Sequence, residues 1–310
     1  MCENLSVLPE DMEPTVRGFL TGHGGAPLAF ARWEHPSPRG RVVIAPGYGE
    51  HGERYRHTAR WLHRNGWSVT AMDHQGFGRS GGVRGDARGI KAPVEDLALL
   101  LRQERLNDTL SRGSLRPVWP QVLLAHSFGG LVGLLVLLWH PDTLDGLIAS
   151  SPAVVLRPIP LPLRLLQKLL LLAAPHRPLA IKGDKTQVCS DPVLVQRYWN
   201  DPLCHHLVTA AFLDALEEGR RELLPMGAEL DRPILLLEAG QDTIADPDGA
   251  EELWKAVPPD RLERHRLEGF LHEVFHDLRR FDAERITEEW LAKVFPPLEG
   301  TKALPGTILN

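Results

Sequence analysis

The stretch PQVLLAHSFGGLVGLLVLLWH, residues 120–140, decides how this chain is read. PQVLLA (120–125) is a short apolar run of strand type, and LVGLLVLLWH (131–140) is apolar throughout, as a buried helix would be. Between them lies A-H-S-F-G (125–129), which sets a serine on the connection from strand to helix. This is the context a nucleophile elbow requires. Its physics is steric: the serine sits in a strained turn that leaves no room for side chains two residues before and two after. Gly129 meets that demand, and Ala125 stands where a first glycine is usual, adding one methyl group. An ordinary strand–turn–helix would share the hydrophobic pattern, so the rest of the chain must supply partners for Ser127.

Outward from this stretch the pattern repeats. TVRGFLT (15–21) and PLAFARW (27–33) flank a glycine turn and read as a hairpin. RVVIAP (41–46), WSVTAMD (67–73), LDGLIASSP (144–152) and RPILLLEAG (232–240) are apolar runs expected of strands buried on both faces, and RLERHRL (261–267) is strand-like. Helical patterns fall between them: a stretch ending at Asn65-Gly66, then 94–106, 131–140, 248–257 and a last helix to about 295. Such alternation predicts an α/β fold, a mostly parallel central sheet with helices on both faces and an antiparallel addition at the start. From 153 to 230 the chain turns Pro- and Leu-rich and helical. The predicted organisation is therefore a core from 1–152 and 231–310 with an inserted helical cap at 153–230, seated over the carboxyl ends of the strands.

Composition narrows the function classes. Of 310 residues, 43% are hydrophobic and 24% charged, an ordinary globular balance. A net charge of −5 provides no basic field for nucleic acid. Three cysteines (Cys2, Cys189 and Cys204) imply no disulfide framework and point to a reducing, cytoplasmic setting. The acidic start MCENLSVLPEDMEP lacks the apolar core of a signal peptide, and the tail GTKALPGTILN reads as loosely ordered. The apolar runs at 122–138 and near 170 fall short of the ~20 clean apolar residues of a membrane span, which predicts a soluble chain. GFGRSGG lacks a phosphate-loop lysine and dinucleotide spacing, so no organic cofactor is expected.

A nucleophilic serine needs a base and an acid to orient that base. Asp242 lies just past the strand PILLLE, and His272 follows the next strand-like run. Asp246 and Asp248 are rivals to Asp242, with Asp248 better suited to cap the helix that follows. An oxyanion needs amide donors: Phe128 N–H, next to the serine, and Tyr48 N–H in P-G-Y-G (46–49) are the candidates.

The stretch HEVFH (272–276) also fits the zinc motif H-E-x-x-H. That chemistry requires both histidines on one helix, one turn apart, with a third ligand elsewhere, for which Glu288 or Glu289 would serve. Gly269 sits badly in such a helix, and Arg279 and Asp282 occupy the glycine and third-histidine positions of the longer motif. The expected metal set is therefore none, with Glu273 and His276 in the first turn of the last helix. A metal peptidase and a non-catalytic lipid-binding protein remain as alternatives.

GYGEHGERY (47–55), MDHQGFGRSGGVRG (72–85), AHSFGGLVGLL (125–135), SSPAV (150–154), NDPLCHH (200–206), LLLEAGQDTIADPDGA (235–250) and LEGFLHEVFHD (267–277) together resemble the monoacylglycerol lipase and lysophospholipase group of α/β-hydrolases, the serine-aminopeptidase-like or Hydrolase_4 group. The resemblance implies an α/β-hydrolase fold and a serine esterase acting on lipid esters, with Ser127, Asp242 and His272 as triad. It also implies Tyr48 and Phe128 as the oxyanion hole, and Glu50 and Arg54 at the glycerol-facing end of the pocket, where a solvated ion pair is the plainer reading. His126, His276 and the cap leucines Leu166, Leu169 and Leu170 complete the candidate substrate contacts. Departures are Pro46 where the family usually has histidine, Ala125 for glycine, and His276 four rather than three residues after the base. The wide apolar face of LRLLQKLLLLAA suits packing on the core, an acyl channel, or transient contact with a membrane surface.

Overall fold

The computed structural model describes residues 11–112, 119–158, 160–181 and 184–296. Cys2, most of the acidic start and the tail GTKALPGTILN lie outside them. The described chain runs β1 (Val16–Thr21), β2 (Pro27–Trp33), β3 (Gly40–Ala45), α1 (Arg56–Arg64), β4 (Trp67–Met72), α2 (Lys91–Arg112), β5 (Gln121–His126), α3 (Phe128–Trp139) and β6 (Gly146–Ser150). Then come α4 (Leu161–Ala173), β7 (Leu179–Ala180), α5 (Pro192–Asn200), β8 (Leu207–Val208) and α6 (Ala210–Leu223). It continues with β9 (Ile234–Ala239), α7 (Glu251–Ala256), β10 (Leu262–Leu267) and α8 (Arg280–Val294).

Eight strands make one sheet in the order β1-β2-β4-β3-β5-β6-β9-β10. The pairs β1–β2 and β2–β4 are antiparallel and every other neighbour is parallel. The interior strands read as unbroken apolar runs because both faces are covered: every residue of β3, β4, β5, β6 and β9 is buried. Alternation survives inside the run. Leu123 and Ala125 of β5 face the layer of α2, α3 and α6, while Val122 and Leu124 face that of α1 and α8.

The methyl group of Ala125 has a physical accommodation. A Cβ placed on Gly133 of α3 would meet Leu123 Cδ2 at 2.9 Å, Ala125 Cβ at 3.0 Å and Leu147 Cδ1 at 3.3 Å. The space that the alanine takes is thus space that α3 leaves open at Gly133. Glycine in mid-helix costs about 1 kcal/mol relative to alanine, and close helix–strand packing here offsets it.

The 153–230 segment is uneven in its packing. Phe212, Leu216 and Leu223 of α6 join the core beside Leu131 and Leu134 of α3. No residue of α4 is buried. The sequence pattern predicts no strand here, whereas β7 and β8 pair antiparallel over two residues each, too short to leave a hydrophobic alternation.

Two local expectations are corrected. Asp248 does not cap a helix: it opens a single 3-10 turn, Asp248–Ala250, whose N-cap is Pro247, and its carboxylate instead accepts from Arg266 Nη1 at 2.9 Å. Glu273 and His276 are not in the first turn of α8. Val274–His276 is a separate 3-10 turn, and extended backbone at Asp277 (φ −71°, ψ 153°) ends it before α8 begins at Arg280. Asp277 Oδ1 accepts the Arg279 N–H at 2.8 Å, which makes a fresh start cheaper than continuing the turn.

The complementarity of Ala125 and Gly133 makes a sign-specific prediction. Gly133→Ala should destabilise by about 1–3 kcal/mol despite its better helix propensity, because overpacking outweighs the backbone gain. Adding Ala125→Gly should recover part of that loss, as a double-mutant cycle in urea will measure; additive effects would show that the two positions do not compete for space.

Candidate active site

The carboxyl ends of β3, β5, β9 and β10 lie along one edge of the sheet, and each carries one piece of a polar constellation. Ser127 follows β5, Asp242 follows β9 and His272 follows β10. Ser127 Oγ lies 2.8 Å from His272 Nε2, and His272 Nδ1 lies 2.7 Å from Asp242 Oδ2. All three are at least 93% buried. The second carboxylate oxygen, Asp242 Oδ1, accepts the N–H groups of Ile244 (2.8 Å) and Ala245 (2.9 Å). Burial by itself would raise the Asp242 carboxyl, but the hydrogen bond from His272 and those two amides hold it below the ordinary value. Arg157 Nε grips the Asp242 carbonyl at 2.9 Å, so backbone and side chain of the acid are both fixed.

Ser127 sits at φ 52°, ψ −115°, a conformation that costs a non-glycine residue about 1–3 kcal/mol. It is held there by its N–H on Ser150 O (3.0 Å) and by its carbonyl, which accepts from Leu131 N–H (3.1 Å) and Ala153 N–H (2.9 Å). Gly129 is obligatory, since a Cβ there would lie 2.3 Å from Ala45 O and 2.5 Å from Pro46 O. The loop after β3 is equally close: a Cβ on Gly47 would lie 3.2 Å from Ser127 Cβ. Tyr48 is the next residue. Its side chain turns to the inserted segment, its hydroxyl donating to Leu207 O at 2.8 Å and its ring packing on Phe77 and Phe212. What Tyr48 can offer a reacting atom beside Ser127 is therefore its backbone.

Glu50 and Arg54 do not form a solvated pair. Both side chains are more than 90% buried and bonded to each other, and Glu50 Oε1 also accepts Gly47 N–H (2.5 Å) and the Tyr55 hydroxyl (3.1 Å). Arg54 continues to Glu273 at 3.0 Å, and Lys185 closes the set with an ion pair to the same carboxylate. Burial opposes ionisation of both acids, but Arg54 outweighs it and keeps Glu50 below its ordinary pKa and Glu273 well below. His126 packs against the His272 ring (centroids 4.9 Å apart), with Nδ1 3.1 Å from Ser150 O. His276 stands edge-on to Tyr55 and His57, with Nε2 3.4 Å from Arg54 O. Leu166 and Leu169 stand exposed on α4, and Leu170 is half-buried.

His272 and His276 share no helix, and their rings face different neighbours, so HEVFH lacks the one-face geometry its zinc reading needs. Sequence reasoning missed Lys185, and it placed Glu273 in a helix. Lys185 lies in an insertion with no periodic signal, and its contacts with Glu273 and with the Tyr198 ring, 4.0 Å away, are what mark it. The same strap holds both loops of the site: Glu273 N–H donates to Val188 O (2.8 Å), Leu278 N–H to Ser190 Oγ (2.9 Å) and Thr243 Oγ1 to Gln187 O (3.2 Å).

Comparison with known proteins shows what the chain is similar to. The Hydrolase_4 family model (serine aminopeptidase, S33) matches residues 36–279. A monoacylglycerol lipase of Mycolicibacterium smegmatis is 31% identical over 261 residues, covering 83% of this chain and 90% of that protein. A monoglyceride lipase of Rattus norvegicus is 30% identical over 80% of this chain and 81% of its own length. The crystal structure of Paleococcus ferrophilus monoacylglycerol lipase matches with a TM-score of 0.75 at 27% identity, covering 86% of this chain and 99% of that one.

The buried histidines set a pH dependence. Burial pushes His57, His74 and His126 down to about 4 from an ordinary 6.5, and His276 also falls well below 6.5. Folded, they stay neutral; unfolded, they protonate near 6.5, so the unfolded chain binds more protons between these values. Stability should be full above pH 6.5 and fall as the pH drops toward 4. A Tm lower by about 5 °C or more at the acid end of that window is expected in calorimetry. A flat Tm would show that these rings titrate normally.

Proposed function

The chain belongs to the Hydrolase_4 family of α/β-hydrolases and is a serine ester hydrolase, and on that premise we propose that it cleaves monoacylglycerols to glycerol and fatty acid through an acyl-enzyme on Ser127. The observation that carries this reading is the buried relay Ser127–His272–Asp242, at 2.8 and 2.7 Å. His272 Nε2 takes the Ser127 proton as Oγ attacks the ester carbonyl. Tyr48 and Phe128 N–H groups receive the oxyanion of the tetrahedral intermediate. As that intermediate collapses, the imidazolium returns its proton to the departing glycerol oxygen. Water then attacks the acyl-enzyme with His272 again as base, and the fatty acid leaves. Asp242 stays ionised throughout, holding the imidazole and stabilising its charged form.

The glycerol end of the substrate is assigned to the side of the site bounded by His126, Glu50 and Arg54. There a buried, charge-balanced network supplies polar surface without a free charge. Residues 153–230 act as a cap on the core formed by 1–152 and 231–310. Leu166, Leu169 and Leu170 of α4 meet the acyl chain or the lipid surface it comes from; the exposure of six leucines on that helix supports this assignment. Among the described residues no helix is long and apolar enough to cross a membrane. A peripheral, transient contact made from the cytoplasm is the mode proposed. His276, with Nε2 at Arg54 O, supports the network rather than touching substrate.

Fluorophosphonate labelling read by intact mass tests the nucleophile. One chelator-insensitive adduct is expected on the wild type and none on Ser127→Ala, whose kcat on 1-acylglycerols should fall by about 10³-fold or more with unchanged circular dichroism. Near-normal turnover in Ser127→Ala would overturn the mechanism. A higher kcat/KM for lysophospholipids or short water-soluble esters than for long-chain monoacylglycerols would overturn the substrate.

A further inference from the structure

A second cluster of reactive side chains lies where the inserted segment meets the loop after β3, and the hydrolytic reaction makes no use of it. One ligand atom each from His51, Asp201 and Cys204 lie within 4.8 Å of one another. The turn D-P-L-C (201–204) is the source of two of them. Its Asp201 carbonyl accepts Cys204 N–H at 3.1 Å and Asp201 Oδ1 accepts Leu203 N–H at 2.8 Å. The turn is thereby closed on itself, with Oδ2 left to meet His51 Nε2 at 2.8 Å. A D-x-x-C turn places a carboxylate and a thiol three residues apart, as C-x-x-C turns place two thiols in structural metal sites.

We propose that His51, Asp201 and Cys204 bind one zinc ion, with a fourth position open to water. The donor set is one imidazole nitrogen, one carboxylate oxygen and one sulfur, which suits zinc better than the all-oxygen preference of magnesium or calcium. Zinc bonds of about 2.0–2.3 Å put tetrahedral donors roughly 3.3–3.8 Å apart. The His51–Asp201 contact must open by less than about 1 Å, and Cys204, within 4.8 Å of both, must close in by at most about 1.3 Å. Access is through the Asp201 side chain, which is 29% exposed, while His51 anchors the buried side. The surrounding charge permits a dication: the buried cations on this side, Arg54 and Lys185, are paired with Glu50 and Glu273.

The consequence lies in what the ion would join. The segment 198–207 already seats on the loop that carries Tyr48, through Tyr198 Oη and His205 N–H, both on Gly49 O at 3.1 and 3.2 Å. Zinc would fasten that junction with coordinate bonds and raise the stability of the folded chain.

Cobalt(II) is the probe, added to untagged, metal-free full-length protein. One equivalent is expected, with a thiolate-to-cobalt charge-transfer band that zinc abolishes by displacement, and with a higher Tm in zinc. The band should vanish in Cys204→Ala and persist in Ser127→Ala, so the result is independent of whether the chain turns over esters. Asp201→Asn keeps the turn but should weaken binding at least ~10-fold. If Cys204→Ala does not fold, that variant decides. Absence of the band, its survival in Cys204→Ala, or unchanged affinity in Asp201→Asn would overturn the site.

Discussion

The structure depends on one crowded point, where the chain leaves β5 at Ser127. The turn there is strained, and its strain is maintained by close approach of three backbone segments. Gly129 fits under the carbonyls of Ala45 and Pro46, Gly47 comes up against the Ser127 Cβ, and Ala153 closes over the Ser127 carbonyl. These contacts tie the ends of β3, β5 and β6 together at the residue proposed as nucleophile. The parallel register of Ala45 against Ala125 and of His126 against Ser150 puts those ends level. Once they are level, the loops after β9 and β10 need only reach inward by a few residues for Asp242 and His272 to complete the relay.

Beside that point the protein buries an unusual amount of charge. Glu50, Arg54, Glu273 and Lys185 form a closed set of two acids and two bases, nearly sealed from water. Such a set contributes little net stability, since desolvation cancels much of the Coulomb attraction. It does impose geometry, because losing any member leaves an uncompensated charge. Burial, reinforced by the neighbouring His272, holds His126 neutral despite the two carboxylates, so the space next to the serine is polar without being ionic.

The inserted segment is neither a separate unit nor a simple extension of the core. Helix α6 is packed into the core, whereas α4 lies on the surface with its leucines exposed. Between them the strap from Lys185 to Ser190 is bonded to the loops of both Asp242 and His272. Any movement of that strap is therefore felt by the two residues that must hold the imidazole in place. The ladder partner of Ala245, Leu156, and the grip of Arg157 on Asp242 extend the same coupling to the root of the insertion.

The amino-acid sequence by itself determined the sheet and its covered faces, because strands buried on both sides leave continuous apolar runs. The candidates Ser127, Asp242 and His272 followed, since each stands a few residues past such a run, whereas the order of the strands came only from the structure. Local pattern failed where long-range contacts choose the conformation. HEVFH has a helical motif spacing, but the chain bends there because His272 is drawn to Ser127 and Glu273 to Arg54 and Lys185, from residues 145, 219 and 88 positions away. Asp248 had the residue type of a cap and was taken instead by Arg266 on the neighbouring strand. The tolerance of Ala125 rests on a missing side chain at Gly133, on the helix packed directly against it, and the charge balance of the Glu50–Arg54–Glu273 set rests on a lysine in the insertion. Spacing along the chain encodes which face a residue takes; only tertiary structure decides which distant charge or cavity it meets there.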